Sequence, residues 1–145
     1  MIYYFDASAL VKAFCYEEGS ENVIILLNSD IPTYSSVVAY AEILFALKRK
    51  KSHNEICEKK FLQAVEELDK KWEFFNIITI EPIFAMLKNK VIQYSLKALD
   101  AIHLASALWI KEELDNDVSF VCSDKELLEF AKKEGLNIIN PERTI

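Results

Sequence analysis

Short apolar, β-prone runs alternate with helix-forming stretches along this chain, and that alternation restricts its fold more than any other feature. IYYF at residues 2–5, a brief run around Thr33 and Tyr34, FFNIITI, VSFVCS and LNII read as strands. Between them lie ASALVKAF, then SENVIILLN capped by Ser20, then a long helix capped by Ser35 or Ser36 and ended by the cations Lys48 to Lys51. An amphipathic helix from Asn54 to Trp72 follows, then one opened by Pro82 and running through Val91. The periodic DAIHLASALWIKEEL starts at Asp100, and DKELLEFAKKEG ends with Gly135 at its C-terminus. Parallel strands need crossover connections, and helices supply them. The pattern therefore predicts an α/β fold of three layers, a central parallel sheet flanked by helices on both faces. With only 2 glycines and 3 prolines, no repeat and no linker, turns are short, and 145 residues suit a single domain over 1–145.

Composition narrows the function classes. No stretch approaches the roughly 18 apolar residues that a membrane span needs, and MIYYFDAS reaches an acid too soon for a secretory leader, so a cytoplasmic protein with no membrane partner is expected. Cys15, Cys57 and Cys122 are odd in number and irregularly spaced, which suits reduced, buried thiols rather than disulfides or a zinc site. The net charge of -6 opposes nonspecific binding to polyanions, unless divalent ions add positive charge where a phosphate would dock.

Four acids stand out against that background. Asp6 follows IYYF, Glu42 lies inside VVAYAEILFAL, Asp100 inside LKALDAIHLASAL, and Asp124 follows SFVCS. In an open parallel sheet the pocket lies beyond the carboxyl ends of the strands, which places Asp6 and Asp124 in one crevice. Asp100 and Glu42 join it from helices. Three of them have an ordinary reading, Asp6 in a turn and Asp100 and Asp124 at helix N-termini, whereas Glu42, among apolar neighbours, is harder to dismiss. Together they repel, by around 4 kcal/mol for two carboxylates about 4 Å apart at an effective dielectric near 20. A hard, all-oxygen set without Cys or His ligands selects Mg2+ or Mn2+, and without metal at least one acid takes up a proton.

DASALVK, YAEILFAL, LKALDAIHLASAL and VCSDKELLEFAKKEGL, in that order and across nearly the whole chain, resemble the PIN domain, in particular the VapC-like ribonuclease toxins of type II toxin-antitoxin systems. The resemblance implies that Asp6, Glu42, Asp100 and Asp124 hold one or two divalent ions with support from the Ser8 hydroxyl. It also implies hydrolysis of RNA phosphodiester bonds by a metal-activated water, leaving a 3'-hydroxyl and a 5'-phosphate. A cognate antitoxin is the implied partner. The late motif departs from the family, which often carries Thr where this chain has Cys122, and Ser123 is expected to substitute in part.

The remaining residues have mostly structural readings. His103 reads as a satisfied core histidine, His53 as a surface residue near a helix start, and the aromatic residues from Tyr3 to Phe45 largely as core. Lys12 and Lys97 are the candidates for touching phosphate, and the KRKK run for guiding RNA. Apolar stripes at Val23 to Leu27 and Ile43 to Leu47 suggest a homodimer face or an antitoxin groove. Two alternatives remain: a PIN-like scaffold that binds RNA or a partner without cleaving, and a haloacid-dehalogenase-like phosphatase, which wants a second acid where this chain has Ser8.

Overall fold

The computed structural model describes residues 1–145. Five parallel strands, β1 (Ile2–Phe5), β2 (Thr33–Ser36), β3 (Asn76–Ile78), β4 (Val118–Val121) and β5 (Asn137–Ile139), form one sheet in the order β3-β2-β1-β4-β5. β1 is the central strand, and all four of its residues are buried. Its side chains alternate between two cores, as a pleated strand covered on both faces requires. Ile2 and Tyr4 face Ile83, Leu104, Phe120 and Leu127, whereas Tyr3 and Phe5 face Leu10, Val23, Ile43, Leu47 and Leu68.

Helices α1 (Ala7–Leu10), α2 (Ser20–Leu27), α3 (Val38–Ser52) and α4 (Glu58–Trp72) supply the second of those cores. Helices α5 (Phe84–Gln93), α6 (Ala98–Glu113) and α7 (Lys125–Lys133) supply the first. The expected three-layer α/β arrangement is therefore present. α6 is apolar nearly all round because it lies deep: Ala101, Leu104, Ala105, Ala107, Leu108 and Ile110 are all buried.

Several helix starts differ from the sequence reading. α2 is capped by Gly19, at φ 87°, rather than by Ser20, whose hydroxyl instead accepts from the Glu17 N–H. Ser35 lies inside β2 and donates to the Phe5 carbonyl, while Ser36 accepts from the Val38 N–H at 3.3 Å. Asn54 has φ 59° and belongs to the turn ahead of α4, which begins at Glu58. A 3-10 turn at Glu81–Ile83 precedes α5, so Pro82 opens that turn rather than the helix itself.

The chain after β5 returns to the α1–α2 region. Asn22 donates to the carbonyls of Pro141 and Arg143, and a Cβ on Gly19 would sit 2.9 Å from the Pro141 backbone. No helix is long and apolar enough to cross a membrane.

Candidate metal and nuclease site

The strand order reverses between β1 and β4: from β1 the chain moves to one side to form β2 and β3, and β4 and β5 return on the other. A crevice opens at such a switch point, past the carboxyl ends of the two strands. Phe5 pairs with Val121, and the Asp6 N–H donates to the Val121 carbonyl at 3.1 Å, so residues 6 and 122–124 meet there.

Asp6 caps α1, accepting from the Ala9 N–H at 3.1 Å. The Ser8 hydroxyl lies 2.8 and 2.9 Å from its two oxygens, and the Cys122 thiol donates to Oδ2 at 3.2 Å. Ser8 in turn accepts from the Ser123 N–H at 3.0 Å, which ties the two loops together. Asp124 caps α7 through the Leu127 N–H at 3.0 Å, and its own N–H donates to the Cys122 sulfur at 3.2 Å. Cys122 thus fills the position expected of a hydroxyl. Ser123 does not substitute for it: its Oγ is buried without a partner, and only its backbone contributes.

Burial and mutual repulsion show in the titration of these groups. Asp6 is pushed above the usual carboxylate range by desolvation, against the opposing influence of His103 and of its Cys122, Ser8 and Ala9 donors. Asp100, half-buried in the first turn of α6, is also raised, first by desolvation and then by the charges of Asp124 and Asp6. Asp100 therefore feels the charges of both Asp6 and Asp124 across the crevice. Asp124 departs from the buried setting that its sequence context suggested, and lies exposed at the rim. Burial, followed by the charge of Asp6, drives the Cys122 thiol far above its ordinary value, so it remains protonated as a donor.

Glu42 projects from α3 and stands apart. Its Oε1 lies 2.6 Å from Nε2 of His103, whose Nδ1 lies 2.8 Å from the Tyr4 hydroxyl. His103 is the buried, satisfied histidine that the sequence suggested, but one of its partners is a candidate site acid. The sequence signal was present: His103 falls three residues after Asp100 on the same helical face. The phenol of Tyr4, stacked on Phe120 with ring centroids 5.4 Å apart, is raised well above its ordinary value, first by burial and further by Asp6 and Glu42.

None of the four acids pairs with a lysine or arginine. As the side chains stand, no three His, Cys, Asp or Glu groups converge closely enough to hold an ion together. Each of three acids is drawn to a separate partner: Asp6 to Ser8, Ala9 and Cys122, Asp124 to Leu127, and Glu42 to His103. The donor chemistry still suits a hard divalent cation, because Asp6 and Asp124 both raise Asp100 across the crevice with no lysine or arginine bonded to any of the three.

Beside the crevice runs a groove of about 870 Å3 lined by Ser8, Glu42 and Ser123, by the apolar Val38, Phe45 and Leu99, and by Lys12, Arg49 and Lys50. Lys12 is not the free phosphate contact expected of it. It is buried, and its ammonium is clamped between Glu142 at 2.9 Å and Glu17 at 3.2 Å, since a buried charge demands partners. Lys50 also binds Glu17, at 2.6 Å, and Lys51 pairs with Glu58. Lys97 is exposed at the N-terminus of α6, near enough to lower Asp100. His53 is exposed at the end of α3 rather than near a helix start, and Cys57 is exposed rather than buried.

A three-layer parallel sheet with acids gathered at its switch point defines the class: the chain belongs to the PIN domain family, whose family model matches residues 3–133. Among curated relatives, Ribonuclease VapC46 of Mycobacterium tuberculosis is 30% identical over 139 residues, covering 95% of this chain and 96% of that protein. Ribonuclease VapC45 of the same species is 29% identical over 106 residues, covering 72% of this chain and 74% of that protein. Two solved structures share the fold. FitAcB from Neisseria gonorrhoeae superimposes with a TM-score of 0.69 at 19% identity, covering 97% of this chain and 98% of that one. VapBC2 from Rickettsia felis, bound to a promoter DNA fragment, gives 0.67 at 18% identity, with the same coverage of both chains.

Proposed function

We propose that this chain is a Mg2+- or Mn2+-dependent endoribonuclease and the toxin of a type II toxin-antitoxin pair. The observation that carries the reading is the crevice in which Asp6 and Asp100 are both raised above the usual carboxylate range, Asp100 partly by Asp6 and Asp124, with no lysine or arginine bonded to any of the three. The ribonuclease names of the curated relatives supply the substrate class.

Asp6, Asp100 and Asp124 would hold the ion, with Glu42 binding a second ion or orienting water. When bound, a divalent ion supplies Lewis-acid polarisation of a phosphoryl oxygen and a water of lowered pKa. The remaining work falls to this chain's own residues. Ser8 and the Cys122 thiol fix the Asp6 carboxylate by donating to it, so that its orientation is set before any ligand arrives. Glu42 faces the groove with Oε2 free of any protein partner. Exposed Lys97, at the N-terminus of α6, and exposed Arg49, in the groove, would meet phosphates.

Cleavage of RNA should require Mn2+ or Mg2+, stop with EDTA, and fall at least about 100-fold in Asp6→Asn, the loss of several kcal/mol of charge stabilisation. Full activity in EDTA or in Asp6→Asn would overturn the proposal. The separation of the acids as they stand favours one second reading, a PIN-like scaffold that binds RNA without cutting it. RNA bound by the wild type but left intact with saturating Mn2+ would select that reading. A cognate antitoxin is the expected partner, since the groove beside the acids carries exposed Phe45 and Leu99, and co-expression with a neighbouring small reading frame should yield a complex. A cytoplasmic homodimer fits the exposed Ile24 and Ile25 of α2, and a monomer at high concentration in sedimentation would refute it.

A further inference from the structure

The geometry points to Tyr4 and His103 as a positioning relay that fixes the Glu42 carboxylate, binding its Oε1 from the buried core and leaving Oε2 aimed for service in the groove. This rests on the metal-dependent reading above and assigns roles to two residues outside the acidic set. Tyr4 and His103 are 0% and 1% exposed, so both ring positions are set by packing rather than by solvent. The Tyr4 ring is stacked on Phe120, and the imidazole meets it edge-on with centroids 5.9 Å apart.

Proton accounting fixes the direction of the relay. A neutral imidazole has one N–H and one acceptor nitrogen, and a phenol has one proton to donate. With the Tyr4 hydroxyl donating to Nδ1, the ring proton lies on Nε2 and is donated to Glu42. The opposite tautomer would set the Nε2 lone pair against a carboxylate oxygen at 2.6 Å, which is repulsive. In the imidazolium form both nitrogens donate, and Nε2–H still reaches Glu42. Its orientation is therefore the same in either charge state, and the relay does not depend on when His103 titrates.

The placement links two elements. α6 carries Asp100 into the crevice and, one turn later, His103 to the α3 acid, so one rigid helix sets both carboxylates. Groups that orient metal ligands from behind typically contribute 10–100-fold to metal affinity or activity. Glu42 is 24% exposed on a flexible side chain, and without the relay it would sample several rotamers.

Mn2+ binding by calorimetry to the full chain tests this. His103→Leu should weaken Mn2+ binding about 10–100-fold. His103→Gln, whose amide N–H can occupy the place of Nε2–H, should recover part of the loss, and Tyr4→Phe, which keeps the stacked ring, should show a smaller loss than His103→Leu. In a Glu42→Gln background His103→Leu should cause no further loss, because the residue acts only through Glu42. Unchanged Mn2+ affinity together with an unchanged cleavage rate in His103→Leu, or an equal loss in both backgrounds, would overturn the relay. Imidazole 15N NMR of the metal-free wild type gives an independent readout: a protonated Nε2 is expected, and an Nδ1–H tautomer would refute the assignment. A wild type that binds no Mn2+ would instead overturn the metal reading, and the NMR measurement would still decide whether His103 orients Glu42.

Discussion

Asp6 is held by three donors and yet is pushed toward its protonated form, because burial outweighs those hydrogen bonds. The consequence for stability has a definite sign. An acid whose folded pKa is raised contributes stability that is present below its unfolded pKa and is lost as pH rises through the folded value. Metal-free protein should therefore melt at a higher temperature on the acid side of the Asp6 and Asp100 titrations than above them, and saturating Mn2+ should flatten that dependence. Asp6→Asn should raise the melting temperature of the metal-free protein while removing cleavage. Cys122, fully buried and protonated, should resist iodoacetamide in the native state while exposed Cys57 reacts, as peptide mass spectrometry would show. Asp6 was legible as a buried acid because a charge at the end of an apolar run is costly to place without purpose, whereas the same cue misplaced Asp124, which is exposed. The pairing of Lys12 was not legible, because one of its partners, Glu142, lies 130 positions away and no local pattern records such a contact.

Strands and helices were legible for a related reason: period two and period 3.6 are local properties. β1, β4, α6 and α7 fall close to where their apolar patterns put them. The starts of α2 and α4 do not, because a cap depends on the backbone's approach rather than on which polar residue comes first. Gly19 caps α2 in a left-handed conformation against the Pro141 backbone, and a Cβ there meets both strain and a clash. Gly19→Ala should cost about 1–3 kcal/mol, measured by urea denaturation. In α6, Leu104 is fully enclosed between helix and sheet, and Leu104→Ala should cost about 2–5 kcal/mol in the same measurement.

For the molecule as a whole, the net charge of -6 sets a problem that the fold answers locally. Of the KRKK run, Lys50 and Lys51 are paired with acids, while Arg49 is exposed, forms no ion pair and lines the groove. Arg49→Ala should weaken RNA binding uniformly across sequences and reduce the salt slope by about 1, read from binding at a series of ionic strengths. The basic character visible in the sequence as four consecutive cations is thus narrowed by the fold to fewer free charges.

Because the central strand β1 precedes the other strands while its neighbour β4 begins at Val118, the sheet cannot close until synthesis has passed Val121. A nascent chain on the ribosome would carry Asp6 through 116 further positions of synthesis before Cys122 could reach it. The proposed site would therefore stay unassembled throughout the synthesis of every strand and helix that precedes β4.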